Sequence, residues 1–214
     1  MKRIAVLASG SGTNLQALLD AIARGTLDAD VAVVVSDRAD AGALRRAADA
    51  GVAAVSLPLA DRHDPVVREA YDRQLAAVLL AFQPDLLVLA GWMLILTPAF
   101  LHRFPGRIVN VHPALLPDCG DIEVLTSHGR LPALRGPRAV RDALAQRLPV
   151  TGATVHYVTT AVDAGPVILR EEVAIHPDDD ETRLHERIKT VEHRLMPRAV
   201  AMALAAISAS NVEG

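Results

Sequence analysis

Five short apolar runs alternate with amphipathic stretches through the first half of the chain. This alternation restricts the fold more than any other feature. Residues 4–8, 31–35, 53–57, 85–90 and 107–111 predict strands, and helical periodicity predicts 15–24, 43–50, 66–82 and 98–103 between them. Gly25 and Gly51 stand where the first two helices should stop. Strands that are apolar on both sides need cover on both sides. The expectation is an α/β fold: a Rossmann-like, open, mostly parallel sheet with helices on both faces. Such sheets take ligands beyond the carboxyl ends of their strands.

The second half reads differently. Residues 113–137 carry Gly, Pro and polar residues without clear periodicity and predict a loop. A helix is expected over 138–146 and a strand pair over 151–158 and 167–175. Residues 181–207 predict one long helix or a broken pair, with Pro197 as the kink. No repeat or low-complexity linker divides residues 1–214, so a single domain is expected. Its halves are 1–112 and 113–214.

Composition narrows the partners. Apolar residues make up 51% of the 214, enough for a sizeable core. A net charge of −3 and 3% aromatics argue against a nucleic-acid surface. The single cysteine, Cys119, cannot form an internal disulfide and fits a reducing compartment. The longest apolar stretch, 86–96, is shorter than the roughly 20 residues that span a bilayer. Met1-Lys2-Arg3 leads directly into a strand, without the apolar segment of a signal peptide. A cytoplasmic protein is expected, with no membrane and no nucleic acid among its partners.

Two motifs carry chemistry. In Ile108-Val109-Asn110-Val111-His112-Pro113, strand alternation puts Asn110 and His112 on one side. An amide N–H can stabilise an oxyanion and an imidazole can serve as a proton source. Asp163, in Val162-Asp163-Ala164-Gly165-Pro166, can orient and charge that imidazole; it can equally cap a turn. The set suits acyl or formyl transfer to an amine, which is its own nucleophile.

The second motif, Ser9-Gly10-Ser11-Gly12-Thr13-Asn14, follows a strand and opens a helix. It reads as a phosphate cradle or as a tight turn with a Thr or Asn N-cap. Leu15 occupies the third glycine position of a dinucleotide fingerprint, and no P-loop lysine follows. His156 reads as a packed or edge strand residue, and His185 as solvated. No histidine spacing suggests zinc, so no metal is expected.

These residues resemble the phosphoribosylglycinamide formyltransferases. The likeness runs through Ala8 to Leu18, Leu89-Ala90-Gly91-Trp92-Met93, Asn110-Val111-His112-Pro113-Ala114-Leu115-Leu116-Pro117, Thr151-Gly152-Ala153-Thr154-Val155-His156 and Val162-Asp163-Ala164-Gly165-Pro166. It implies formyl transfer from 10-formyltetrahydrofolate to glycinamide ribonucleotide in purine synthesis, by a monomer or homodimer. By position it implies Gly12, Thr13, Asn14, Lys189 and Glu192 for the ribonucleotide. It implies Arg68, Met93, Leu94, Ile95, Leu96 and Asn110 for the folate, and Asn110, His112 and Asp163 for catalysis. On this resemblance 1–112 is the nucleotide-binding half, and 113–214 holds the folate loop.

Two departures stand out. Leu94 replaces a common arginine. The connection Asp118 to Arg138 is longer by about a dozen residues than the short Pro-Gly-x-His segment that relatives usually carry after Leu-Leu-Pro, well beyond an ordinary loop, with Arg138 where a histidine is often found. Relatives fold this connection over the folate. The alternatives are a formyltetrahydrofolate deformylase and a ribonucleotide-binding protein whose altered loop reduces activity. A deformylase is expected to carry a further N-terminal domain, and a methionyl-tRNA formyltransferase a C-terminal one.

Overall fold

The structure, a computed structural model, describes residues 1–210; residues 211–214 and the side chains of Cys119 and Ser210 lie outside the described set. The elements run β1 (Lys2–Leu7), α1 (Thr13–Ala23), β2 (Ala29–Ser36), α2 (Gly42–Asp49), β3 (Ala54–Ser56), α3 (Pro65–Ala81), β4 (Leu86–Leu89), α4 (Pro98–Leu101) and β5 (Ile108–His112). There follow β6 (Glu123–Thr126), β7 (Gly129–Pro132), α5 (Ala139–Ala145), β8 (Val150–Tyr157), β9 (Val167–Ala174) and α6 (Glu181–Ser210).

Seven strands form one sheet in the order β3-β2-β1-β4-β5-β8-β9. The first five pair in parallel, and β8 and β9 join antiparallel. Alternation along β1 explains the layers. Ile4 and Val6 pack towards Leu184, Ile188 and Val200 of α6, while Ala5 and Leu7 pack towards Leu75 and Leu79 of α3. The α/β architecture expected from the sequence is the one observed. Strand order reverses between β1 and β4, the place where open α/β sheets take ligands in a crevice beyond their strand ends. The loops after these two strands meet there, with the Ser9 N–H donating to Gly91 O and the Met93 N–H to Ser9 Oγ, each at 3.0 Å.

Two expectations change. Residues 113–137 do not form an irregular loop: β6 and β7 pair as an antiparallel hairpin, with Thr126 opposite Gly129. Its buried Val124 faces Leu115 and Val150, and at its tip the Ser127 N–H donates to Glu172 Oε1 at 2.8 Å. Pro197 does not break α6, which is continuous. A proline inside a helix costs about 3 kcal/mol. Burial of Leu184, Ile188, Leu195, Met196, Val200 and Leu204 on that helix contributes on the order of 1.5–3 kcal/mol for each large side chain, so packing wins.

Candidate active site

The crevice is a cavity of about 430 Å³. Gly12, Thr13 and Asn14 line it with Lys189 and Glu192 of α6, as do Met93, Leu94, Ile95 and Leu96 from the segment after β4 and the cluster Asn110, His112 and Asp163. Arg68 is the one sequence-expected site residue that does not line it. Its Nη2 donates to Ile95 O at 2.6 Å and pairs with Asp72 at 3.3 Å, and Asp72 accepts the Thr97 N–H. Arg68 thus braces the 93–97 segment from behind.

The glycine-rich turn differs from the expected cap. Gly12 itself is the N-cap of α1, with φ 76, and no side chain caps the first turn. A Cβ at Gly12 would lie 2.6 Å from Ala43 Cα, so only glycine fits against α2. Asn14 is drawn elsewhere: its Nδ2 donates to Glu192 Oε2 at 2.8 Å in buried surroundings, and its Oδ1 has no partner. The uncapped N–H groups of the first turn and the positive helix end favour an anion here. Lys189, held by Glu186 Oε1 at 2.6 Å, adds a cation, and His185 also lines this cavity although the sequence suggested a solvated side chain.

At the end of β5, Asn110 and His112 share a face while Val109 and Val111 enter the core. Antiparallel pairing sets His156 of β8 opposite Asn110. The turn before β9 supplies Asp163, in the left-handed region at φ 49. That turn closes tightly: the Tyr157 N–H donates to Pro166 O at 2.9 Å, and a Cβ on Gly165 would fall 1.9 Å from Tyr157 O.

Asp163 sits between two imidazoles, with Oδ2 3.4 Å from His112 Nδ1 and Oδ1 3.6 Å from His156 Nε2. The Gly136 N–H donates to Oδ2 at 2.8 Å. Burial pushes the carboxyl up, but His156, the His112 charge and the Gly136 N–H together outweigh it and hold its pKa at about 2. His112 Nε2–H donates to Leu134 O at 2.7 Å. His156 Nδ1–H donates to Tyr157 O at 2.9 Å, and its Nε2 lies 3.3 Å from Asn110 Nδ2.

Charge on His112 departs from the sequence reading. Burial lowers its pKa below the usual value, and this outweighs the attraction of Asp163 and the Leu134 carbonyl. Burial thus favours the neutral form of this ring. His156, Leu134 and Gly136 are the residues sequence reasoning missed. The signal for His156 was the β5–β8 register, which appears only once those strands are paired.

The formyl transferase family profile matches residues 2–200. The chain belongs to the formyl transferase family. The phosphoribosylglycinamide formyltransferase of Mycobacterium tuberculosis (strain ATCC 25618 / H37Rv) is 45% identical over 199 residues, covering 93% of this chain and 83% of that protein. The trifunctional purine biosynthetic protein adenosine-3 of Drosophila melanogaster is 40% identical over 204 residues, 94% of this chain and 14% of that protein. The structure of glycinamide ribonucleotide transformylase 1 from Symbiobacterium toebii superposes with a TM-score of 0.84 at 42% identity, covering 96% of this chain and 89% of that one. The amide–imidazole–carboxylate cluster is suited to formyl transfer. Among the described residues no group of three or more His, Cys, Asp or Glu could hold a metal ion, and no helix is long and apolar enough to cross a membrane.

Proposed function

We infer that this enzyme formylates the amine of glycinamide ribonucleotide, with 10-formyltetrahydrofolate as donor, in purine biosynthesis. One observation carries the reading. Asn110, His112 and Asp163 line the same cavity as the anion-favouring Gly12 turn and the Lys189/Glu192 face of α6. An acceptor anchored by phosphate at the turn can present its amine to the cluster. The unpartnered Asn14 Oδ1 and the Glu192 carboxylate suit ribose hydroxyls. Exposed Met93 and Ile95, with the backbone of the same segment, suit a flat heteroaromatic donor.

In this reading Asn110 Nδ2 donates to the oxygen that becomes negative when the amine attacks the formyl carbon. One such donor contributes about 2.7–4 kcal/mol to lowering the barrier. A bond forms from the amine nitrogen to the formyl carbon, and the bond from that carbon to the donor nitrogen breaks. His112 Nδ1, paired with Asp163, takes the proton shed by the amine and returns it to the departing nitrogen. Residues 1–112 and 113–214 act as one unit, since the first supplies Asn110 and His112 and the second Asp163. The enzyme acts on small molecules in the cytoplasm, as a monomer or homodimer.

The hairpin bears on the reduced-activity alternative. Of the long connection after Pro117, only Gly136 and Pro137 line the cavity; β6 and β7 pack outside it. The insertion therefore leaves the donor end open. Product analysis tests the reading: both substrates together should give formylated ribonucleotide and tetrahydrofolate in equal amounts. Tetrahydrofolate without formylated ribonucleotide would assign a deformylase instead.

A further inference from the structure

Three successive residues after the hairpin reach the catalytic cluster. Leu134 O accepts from His112 Nε2, the Gly136 N–H holds the Asp163 carboxylate, and Arg135 lies between them. The Arg135 guanidinium joins two backbone carbonyls far apart in sequence. Its Nε donates to Asp163 O at 3.0 Å, and its Nη2 donates to Asp121 O at 2.5 Å. Asp121 lies at the foot of the β6–β7 hairpin, whose tip is tied to Glu172 of β9. Asp163 has φ 49, a conformation that side chains other than glycine disfavour and that needs support from its surroundings.

We propose that Arg135 is a positioning residue for formyl transfer: by bridging the Asp121 and Asp163 carbonyls it locks the Asp163 turn against the His112 ring. The proposal rests on the functional reading above. Arginine suits the task because its planar fork offers N–H groups in fixed, diverging directions and stays charged at any working pH. Lysine has a single ammonium and cannot replace the fork. The fork spends its N–H groups on carbonyls and leaves the Asp163 carboxylate to the imidazoles. The groups facing His112 agree with this arrangement: Asp163 favours its proton, while His156 and Arg135 oppose it. The inserted hairpin then acts as the fixed post to which the catalytic turn is tied.

The test is a mutant cycle read by steady-state transfer. Arg135→Met should lower kcat at least tenfold while the ribonucleotide KM stays within twofold, because the Gly12 turn and Lys189 are untouched. In the Asp163→Asn background the same substitution should lower kcat less than twofold, since the group it positions has already been removed. Ribonucleotide binding and thermal unfolding establish that each variant folds. If Arg135→Met does not fold, Arg135→Lys carries the expectation of at least a fivefold fall. Unchanged kcat in a folded variant, or losses that multiply in the double variant, overturns the proposal. Wild-type turnover measured alongside separates the two claims: no transfer by the wild type overturns the functional reading and this inference with it, whereas intact transfer by the variant overturns only the role of Arg135.

Discussion

His112 gives its Nε2–H to the carbonyl of Leu134 at 2.7 Å, and in the proposed mechanism this contact leaves Nδ1 as the ring atom that handles the proton. With Nε2 committed, Nδ1 faces Asp163 Oδ2 at 3.4 Å and is the atom free to take a proton. His112 is 4% exposed and lines the cavity. A buried neutral imidazole beside an ionised carboxylate is a proton acceptor whose charged form is stabilised as it appears.

His112→Ala should lower kcat about 10²- to 10⁴-fold, the usual contribution of a positioned acid or base. Ribonucleotide affinity, measured by titration calorimetry, should stay within threefold, since the reading assigns the ribonucleotide to Gly12 and Glu192 and not to His112. Wild-type turnover by this variant would remove His112 from the mechanism.

The pH profile of kcat should have an acid limb below the ordinary histidine value, because burial lowers the His112 pKa. Asp163 opposes that lowering by attraction. Asp163→Asn should therefore lower the His112 pKa further and move the acid limb to lower pH, with a smaller maximum rate. A limb that stays in place shows that Asp163 does not set the charge of the ring.

Stability should fall as the solution is acidified. His112 has a depressed folded pKa, so the unfolded chain binds more protons once the pH drops below about 6.5, and stability declines from there. Asp163, held at about 2, contributes stability above its unfolded value of about 3.9 and loses it as the pH falls towards 2. Melting curves of His112→Asn should show a shallower loss of Tm between about pH 6.5 and 5. An identical slope contradicts the burial argument.

Glu192→Ala should raise the ribonucleotide Kd more than tenfold and cost about 1–3 kcal/mol of stability, because it leaves the buried Asn14 Nδ2 without an acceptor. Calorimetry and urea unfolding check the two halves of this expectation. A change in folate KM alone would contradict it.

Arg68→Met should raise the folate KM about 3- to 10-fold, the size of one lost hydrogen bond, through loosening of the segment at Ile95. The ribonucleotide KM should not move. Equal effects on both substrates would mean that Arg68 supports the whole sheet edge and not the donor end.

The strands were legible because β1, β4 and β5 are buried on both faces and their apolar runs are unbroken. Asn110 and His112 were legible together because a strand repeats every two residues. His156 was not, since its meaning depends on a register between strands 46 positions apart. The hairpin was hidden because in β6 the exposed Leu125 directly follows the buried Val124, two apolar neighbours that blur the alternation that reveals a strand. Asn14 read as a helix cap because local rules favour it there. Its actual partner, Glu192, lies 178 positions away.

The most direct test of the central claim follows donor consumption as acceptor is raised from zero. With saturating 10-formyltetrahydrofolate, the account predicts no tetrahydrofolate release without glycinamide ribonucleotide and a rate that saturates as ribonucleotide is added. A steady release that ignores the ribonucleotide would contradict it: the Asn110, His112 and Asp163 cluster would then be delivering the formyl group to water.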